Sequence, residues 1–224
     1  MTQAVTGIFT AAVRGQGARL QVDDLVPLSA EDPRGFSGFY VIFGVTLAGF
    51  IFGQTSHLYS KGLPLGHTLI QALGFAVLVG LASALLAGPL LGVLPGPFLA
   101  LAGILVLLAL ATALVTRSFT ALLGDPGIVL ATLLLVILGN ATDGGVVAAS
   151  FLPGGFRQLS PALPPGAATD ALRRVDYFDP AAALGPVAVL AVWALAGLFL
   201  LVVMTGRRRA LAGAVLAEQA HVAP

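Results

Sequence analysis

The run GLPLGHTLIQALGFAVLVGLASALLAGPLLGVLPGPFLALAGILVLLALATALVT, Gly62 to Thr116, spans about 55 residues without one Asp, Glu, Lys or Arg. A soluble domain spreads about a quarter of its residues as charges over its surface. Here charged residues make up 9% of the whole chain and the mean hydropathy is +0.99. Stretches such as Ile104 to Leu114 are apolar on every side, so they do not read as barrel strands, which alternate apolar and polar positions. The chain is expected to be an all-α membrane protein that takes the lipid bilayer as its solvent.

About 20 apolar residues cross a hydrocarbon core. Working outward from the uncharged run, five stretches qualify: residues 36–54, 64–88, 97–116, 119–139 and 183–205. Charges, Gly/Pro clusters or both close each one. Residues 1–35 then form a polar N-terminal stub, 140–182 a long loop and 207–224 a tail. Basic residues near span ends mark the cytoplasm. Arg207, Arg208 and Arg209, directly after the last span, outweigh Arg14, Arg19, Arg34, Arg157, Arg173 and Arg174, which sit in long polar segments among Asp and Glu. The tail is therefore expected inside, with the stub and the 140–182 loop outside. Ten Arg against one Lys, with abundant Ala, Gly and Leu, suggests a GC-rich bacterial genome and hence the plasma membrane.

Within the spans, small residues recur. Gly49 and Gly53 form Gly-x-x-x-Gly in the first, and Ala76, Gly80, Ala84 and Gly88 recur every four residues in the second. Such stripes let helix backbones approach closely in lipid, so a packing seam is favoured over a substrate lining. Between these spans, His57, Tyr59 and Lys61 lie in a short connection, Gln54 to Leu63, that reads either as a solvated turn or as a contact surface for a partner. Asp125, before Pro126 and Gly127, reads as a helix cap, against the alternative of a functional charge at membrane depth. From Pro126 to Gly139 is only about 21 Å of helix. The fourth span is thus either extended by Phe119 to Leu123 or partial. In the long loop, Ala168, Leu172 and Val175 share a face while Asp170 and Arg174 stand at i,i+4. This describes a short amphipathic helix that lies at the interface or dips back into it.

Several chemistries are disfavoured. Net charge is +1 with no basic patch, which argues against nucleic acid. The absence of Cys and the scatter of three His offer no metal set, and no cofactor is implied. No P-loop occurs, so any ATP hydrolysis belongs to another subunit. Gly35-Phe36-Ser37-Gly38 matches the Gly-x-Ser-Gly string of rhomboid-type intramembrane serine proteases. However, His57 and His67 fall about 30 Å away at the far side of the first span. A dyad with Ser37 cannot close, and the chain is not expected to be an enzyme.

The ordered residues Leu138-Gly139-Asn140, Gly144-Gly145, Leu152-Pro153, Phe156, Leu159-Ser160-Pro161, Leu163-Pro164-Pro165-Gly166 and Ala171-Leu172-Arg173 resemble the C-terminal membrane region of ABC-2-type permeases, closest to the YhgE/Pip-like branch. Asp32-Pro33-Arg34-Gly35-Phe36 is similar to that branch's return into the membrane. The resemblance implies an export system, a cytoplasmic C-terminus, re-entrant helices in the 140–182 loop, and a coupling loop around His57, Tyr59 and Lys61 that meets a separate ABC ATPase. It also implies a homodimer or a companion membrane chain, because that branch's first span and extracellular domain have no counterpart here. A scaffold that keeps only the assembly surface of such a permease is the alternative.

Overall fold

The computed structural model describes residues 28–59, 63–178 and 180–222, with side chains as far as residue 206; the residues before Leu28, and Lys61, lie outside the described residues. The chain is an all-α membrane protein, and the reason lies in its solvent. Lipid offers no hydrogen bonds, so each apolar stretch satisfies its own backbone as a helix. Seven helices carry the fold among the described residues: α1 (Ser37–Tyr59), α2 (Leu65–Leu90), α3 (Phe98–Leu123), α4 (Asp125–Ala141), α5 (Gly154–Leu159), α6 (Pro164–Tyr177) and α7 (Leu184–Val222). Short 3₁₀ turns at Ala149–Phe151, Ser160–Ala162 and Pro180–Ala183 link the last of them.

Four helices are long and apolar enough to cross a membrane: α1, α2, α3 and the Ala181–Gly206 stretch that contains the first part of α7. The hydrophobic run of α4 is shorter. Its 17 residues extend about 25 Å, less than the ~30 Å core. Yet α4 still joins the two ends of the bundle. Beside its start, a Cβ on Gly127 would run into the Phe119 carbonyl of α3, whereas near its end a Cβ on Gly139 would lie 2.8 Å from Pro165 of α6. We call these the turn end and the loop-rich end.

Three boundaries differ from the sequence reading. The third helix does not stop at Thr116. No helix breaker intervenes before Gly124, whose φ of 69° ends the helix, so Arg117 and the 119–123 stretch belong to α3 and leave α4 short. The first helix runs on through Gln54 to Tyr59, which places His57 and Tyr59 on its last turn rather than in a loop. The last helix continues beyond residue 205 to Val222.

Helix α3 is the axis of the bundle. Of its most apolar window 61% is buried, against 22–33% for the other three long helices. Glycines bring the neighbours onto it. A Cβ on Gly49 of α1 would collide with Thr112, and one on Gly53 would lie 2.5 Å from the Ala113 carbonyl. On α2, a Cβ at Gly80 would lie 2.5 Å from the Val106 amide nitrogen, and on α7 one at Gly197 would lie 2.9 Å from the Leu114 carbonyl carbon. Backbones this close gain dispersion contacts that lipid chains cannot match. Ser118 adds a polar tie, its hydroxyl 2.7 Å from the Gly197 carbonyl on α7.

On α2, Ala72, Ala76, Gly80 and Ala84 form the buried stripe. At its end Ala87 is buried while Gly88 is half-buried, and the last turn, Leu86–Leu90, is a π turn that contains Pro89. Leu91 donates to the Leu86 carbonyl, five residues back. Phe52 and Phe75 stack with centroids 4.2 Å apart and close the α1–α2 contact nearer the turn end.

A candidate functional site at the loop-rich end

The loop-rich end is built by short elements packed into the mouth of the bundle. Asp32 starts it. Its carboxylate accepts from the Phe36 amide (3.2 Å) and the Ser37 amide (2.7 Å), capping α1 from outside the helix across the Gly35 turn, where φ is 69°. Ser29 donates to the Gly92 carbonyl at 2.8 Å, which ties this lead-in to the α2–α3 loop.

Helix α6 is the centrepiece. Pro164 and Pro165 begin it, suited to a first turn that needs no amide donors. Residues Pro164 to Thr169, with Ala171, Leu172 and Val175, are buried, so the amphipathic segment does not rest on the surface but enters the bundle. Its entry depends on a tight reversal: a Cβ on Gly166 would overlap the Ser160 carbonyl. Trp193 of α7 donates from Nε1 to the Ala162 carbonyl at 2.7 Å and holds that reversal in place. Of the loop residues singled out in the sequence, Gly139, Asn140, Ser160, Pro164, Pro165 and Gly166 are buried around this entry, whereas Pro153, Phe156 and Pro161 are exposed on and beside α5.

Asn140 meets the needs of α4. The π segment Thr132–Leu138 leaves carbonyls without ordinary helical donors, and Asn140 Nδ2 donates to those of Val136 (2.8 Å) and Leu135 (3.3 Å). Two residues after the helix, Asp143 is 5% exposed; its Oδ1 accepts from the Gly145 amide at 2.8 Å, while Oδ2 is buried without a partner. Burial pushes this carboxyl up to about 6, against the opposing pull of the Gly145 amide, the Arg173 charge and the nearby Thr169 hydroxyl. Arg173 lies across from it, donating to the carbonyls of Gly144 (2.7 Å) and Gly145 (3.2 Å). Asp176, a turn along α6, accepts from the Gly96 amide at 2.9 Å, and burial raises it too to about 6.

Beside Arg173 and Asp176 lies a cavity of about 490 Å³, which Asp143 does not line. Its lining mixes apolar side chains such as Phe39, Ile42 and Leu94 with the polar Asp32, Arg34, Thr169, Arg173 and Asp176. A lining of this mixed character suits an amphiphilic solute, and it includes the Asp176 carboxyl that burial raises to about 6. Sequence reasoning did not single out Asp143, Arg173 or Asp176 as a group. The available signal was Asp143-Gly144-Gly145, an acid before two glycines at the end of an apolar run.

The other sequence candidates lie away from this cavity. Tyr59 is 87% exposed at the turn end, where His57 also sits. Asp125 is exposed in the first turn of α4, where its charge favours the helix dipole; Gly124 occupies the cap position itself. Ser37 opens α1 at one end of the bundle, while His57 closes it at the other. Among the described residues no group of acids and histidines is arranged to hold a metal ion. No protein-family model matches the chain, and neither the curated proteins nor the solved structures contain a match to it.

Proposed function

We propose that this chain is the membrane-spanning permease subunit of an ABC-2-type export system, driven by a separate ATPase. The observation that carries the proposal is the placement of α5 and α6: two short helices between a short traverse and the last long span, the second inserted into the bundle beside a polar cavity. A scaffold would need only lipid-facing and helix-packing surfaces. A buried helix that carries Arg173 and Asp176 into a chamber is better suited to contacting a solute. Arg207, Arg208 and Arg209 after the last span favour the tail inside the cell, which turns the loop-rich end outward and directs the His57–Tyr59 end toward a cytoplasmic ATPase. The absence of a phosphate-binding loop from the sequence fits an energy source on another chain.

Co-purification in mild detergent tests this. The expected result is an ATP-hydrolysing partner recovered with the tagged chain and lost when Tyr59 and His57 are both changed to Asp. Recovery of the chain alone, after cross-linking in intact membranes, would overturn the permease reading in favour of a scaffold.

A further inference from the structure

Arg117 sits in the last third of α3 with 8% of its surface exposed. Its Nη2 donates to Thr68 Oγ1 at 3.1 Å, and its Nη1 is buried with no partner. The only ion pair among the described residues is Asp170 with Arg174 at the opposite end of the bundle. A guanidinium stays charged at any accessible pH, and an unpaired charge in a dry bundle is strongly unfavourable. The side chain therefore calls for an anion.

Its position indicates where that anion would bind. Thr68 lies in the first turn of α2, whose cap residue is Pro64 and which has no side-chain cap bond. The amides of Leu65, Gly66 and His67 have no acceptors within the helix, and the dipole is positive there. Gly66 has open space where a side chain would be. Depth agrees as well. Nineteen residues separate Arg117 from Phe98, about 28 Å of helix, close to the full ~30 Å of hydrocarbon. With Phe98 at one boundary of the hydrocarbon, the guanidinium would reach the phosphate level of the other.

We propose that Arg117 and the first turn of α2 form a binding site for a phosphate-type oxyanion, supplied by a phospholipid headgroup or by free phosphate. The site is independent of the transport reading, since any membrane role leaves the same unpaired charge. The test is thermal unfolding of the full-length chain, delipidated in neutral detergent, with phosphatidylglycerol, inorganic phosphate or a phosphate-free glycosyl diacylglycerol added in turn. At saturation the midpoint is expected to rise by about 5 °C or more over the phosphate-free lipid. A rise with phosphatidylglycerol alone assigns the headgroup; a rise with inorganic phosphate assigns a soluble source. In Arg117→Gln the rise is expected to vanish, and the unliganded protein to be at least as stable as the wild type. Should that variant not fold, Thr68→Val, which removes the positioning bond, is expected to cut the rise by at least half. An equal response to all three additives in the wild type, or a full response in the variant, would overturn the proposal.

Discussion

At the scale of single residues, two glycines on α2 separate packing from propensity. Gly80 lies against the backbone of Val106, whereas Gly74 faces open space. Gly80→Ala is expected to lower stability by about 1–3 kcal/mol through overpacking. Gly74→Ala is expected to be neutral or to stabilise by up to about 1 kcal/mol from helix propensity; detergent melting curves check both. The four-residue recurrence of small side chains was readable because it exceeds what chance places on one face. Arg117 was not, because a charge that follows an apolar run resembles the end of a span, and only the tertiary contact with Thr68 reveals it as interior.

Asp143 gives a prediction in pH. Its carboxyl stands at about 6 in the folded protein and at 3.8 when unperturbed. The folded state therefore holds its proton more tightly, and stability is fully present below about pH 4 and declines as pH rises through 6. For one group this amounts to roughly 1–3 kcal/mol. Asp143→Asn keeps the Oδ1 acceptor for Gly145 and removes the charge, so it is expected to cut the slope of the stability profile between pH 4 and 7 by about half, the remainder being due to Asp176, which burial also raises to about 6. An unchanged slope in thermal melts across that range would refute this.

At the scale of elements, α6 depends on its docking rather than its own helix-forming tendency. Asp170 and Arg174 form a 2.9 Å ion pair, but each is 41% exposed. Asp170→Ala should therefore cost less than about 0.5 kcal/mol. Trp193→Phe removes the single bond from α7 to the Ala162 carbonyl and is expected to cost about 1 kcal/mol. Its larger effect is expected in faster proteolysis between Phe151 and Leu163. The sequence marked this region as helical and half-apolar, leaving its depth open. Burial of α6 follows from the Pro164-Pro165-Gly166 reversal against Ser160, a backbone contact that no hydropathy pattern encodes. The two π segments escaped notice for a similar reason, since one is set by a proline near a helix end and the other is satisfied by Asn140 from beyond the segment.

At the scale of the whole molecule, the all-α class was legible from two features together: a 55-residue uncharged run that places the chain in lipid, and stretches apolar on every side that leave helices rather than alternating barrel strands to satisfy the backbone. The number of crossings was less legible, as α4 is too short by length but joins the two ends. The chain has no Cys, so single cysteines report cleanly. Substitutions at Asp125 and Val147 are expected to react with impermeant maleimide from opposite sides of the membrane. Labelling of both from one side would mean that α4 turns back.

Helices α1, α2 and α7 are keyed to α3 through glycines that leave no slack for sliding. Those four rods make a chassis, and under the proposed export function the larger rearrangements are assigned to the parts outside it, α4 with its widened turns and the wedge formed by α6. Under that proposal, cross-links within the chassis are expected to leave export intact, while one that pins the wedge is expected to stop it.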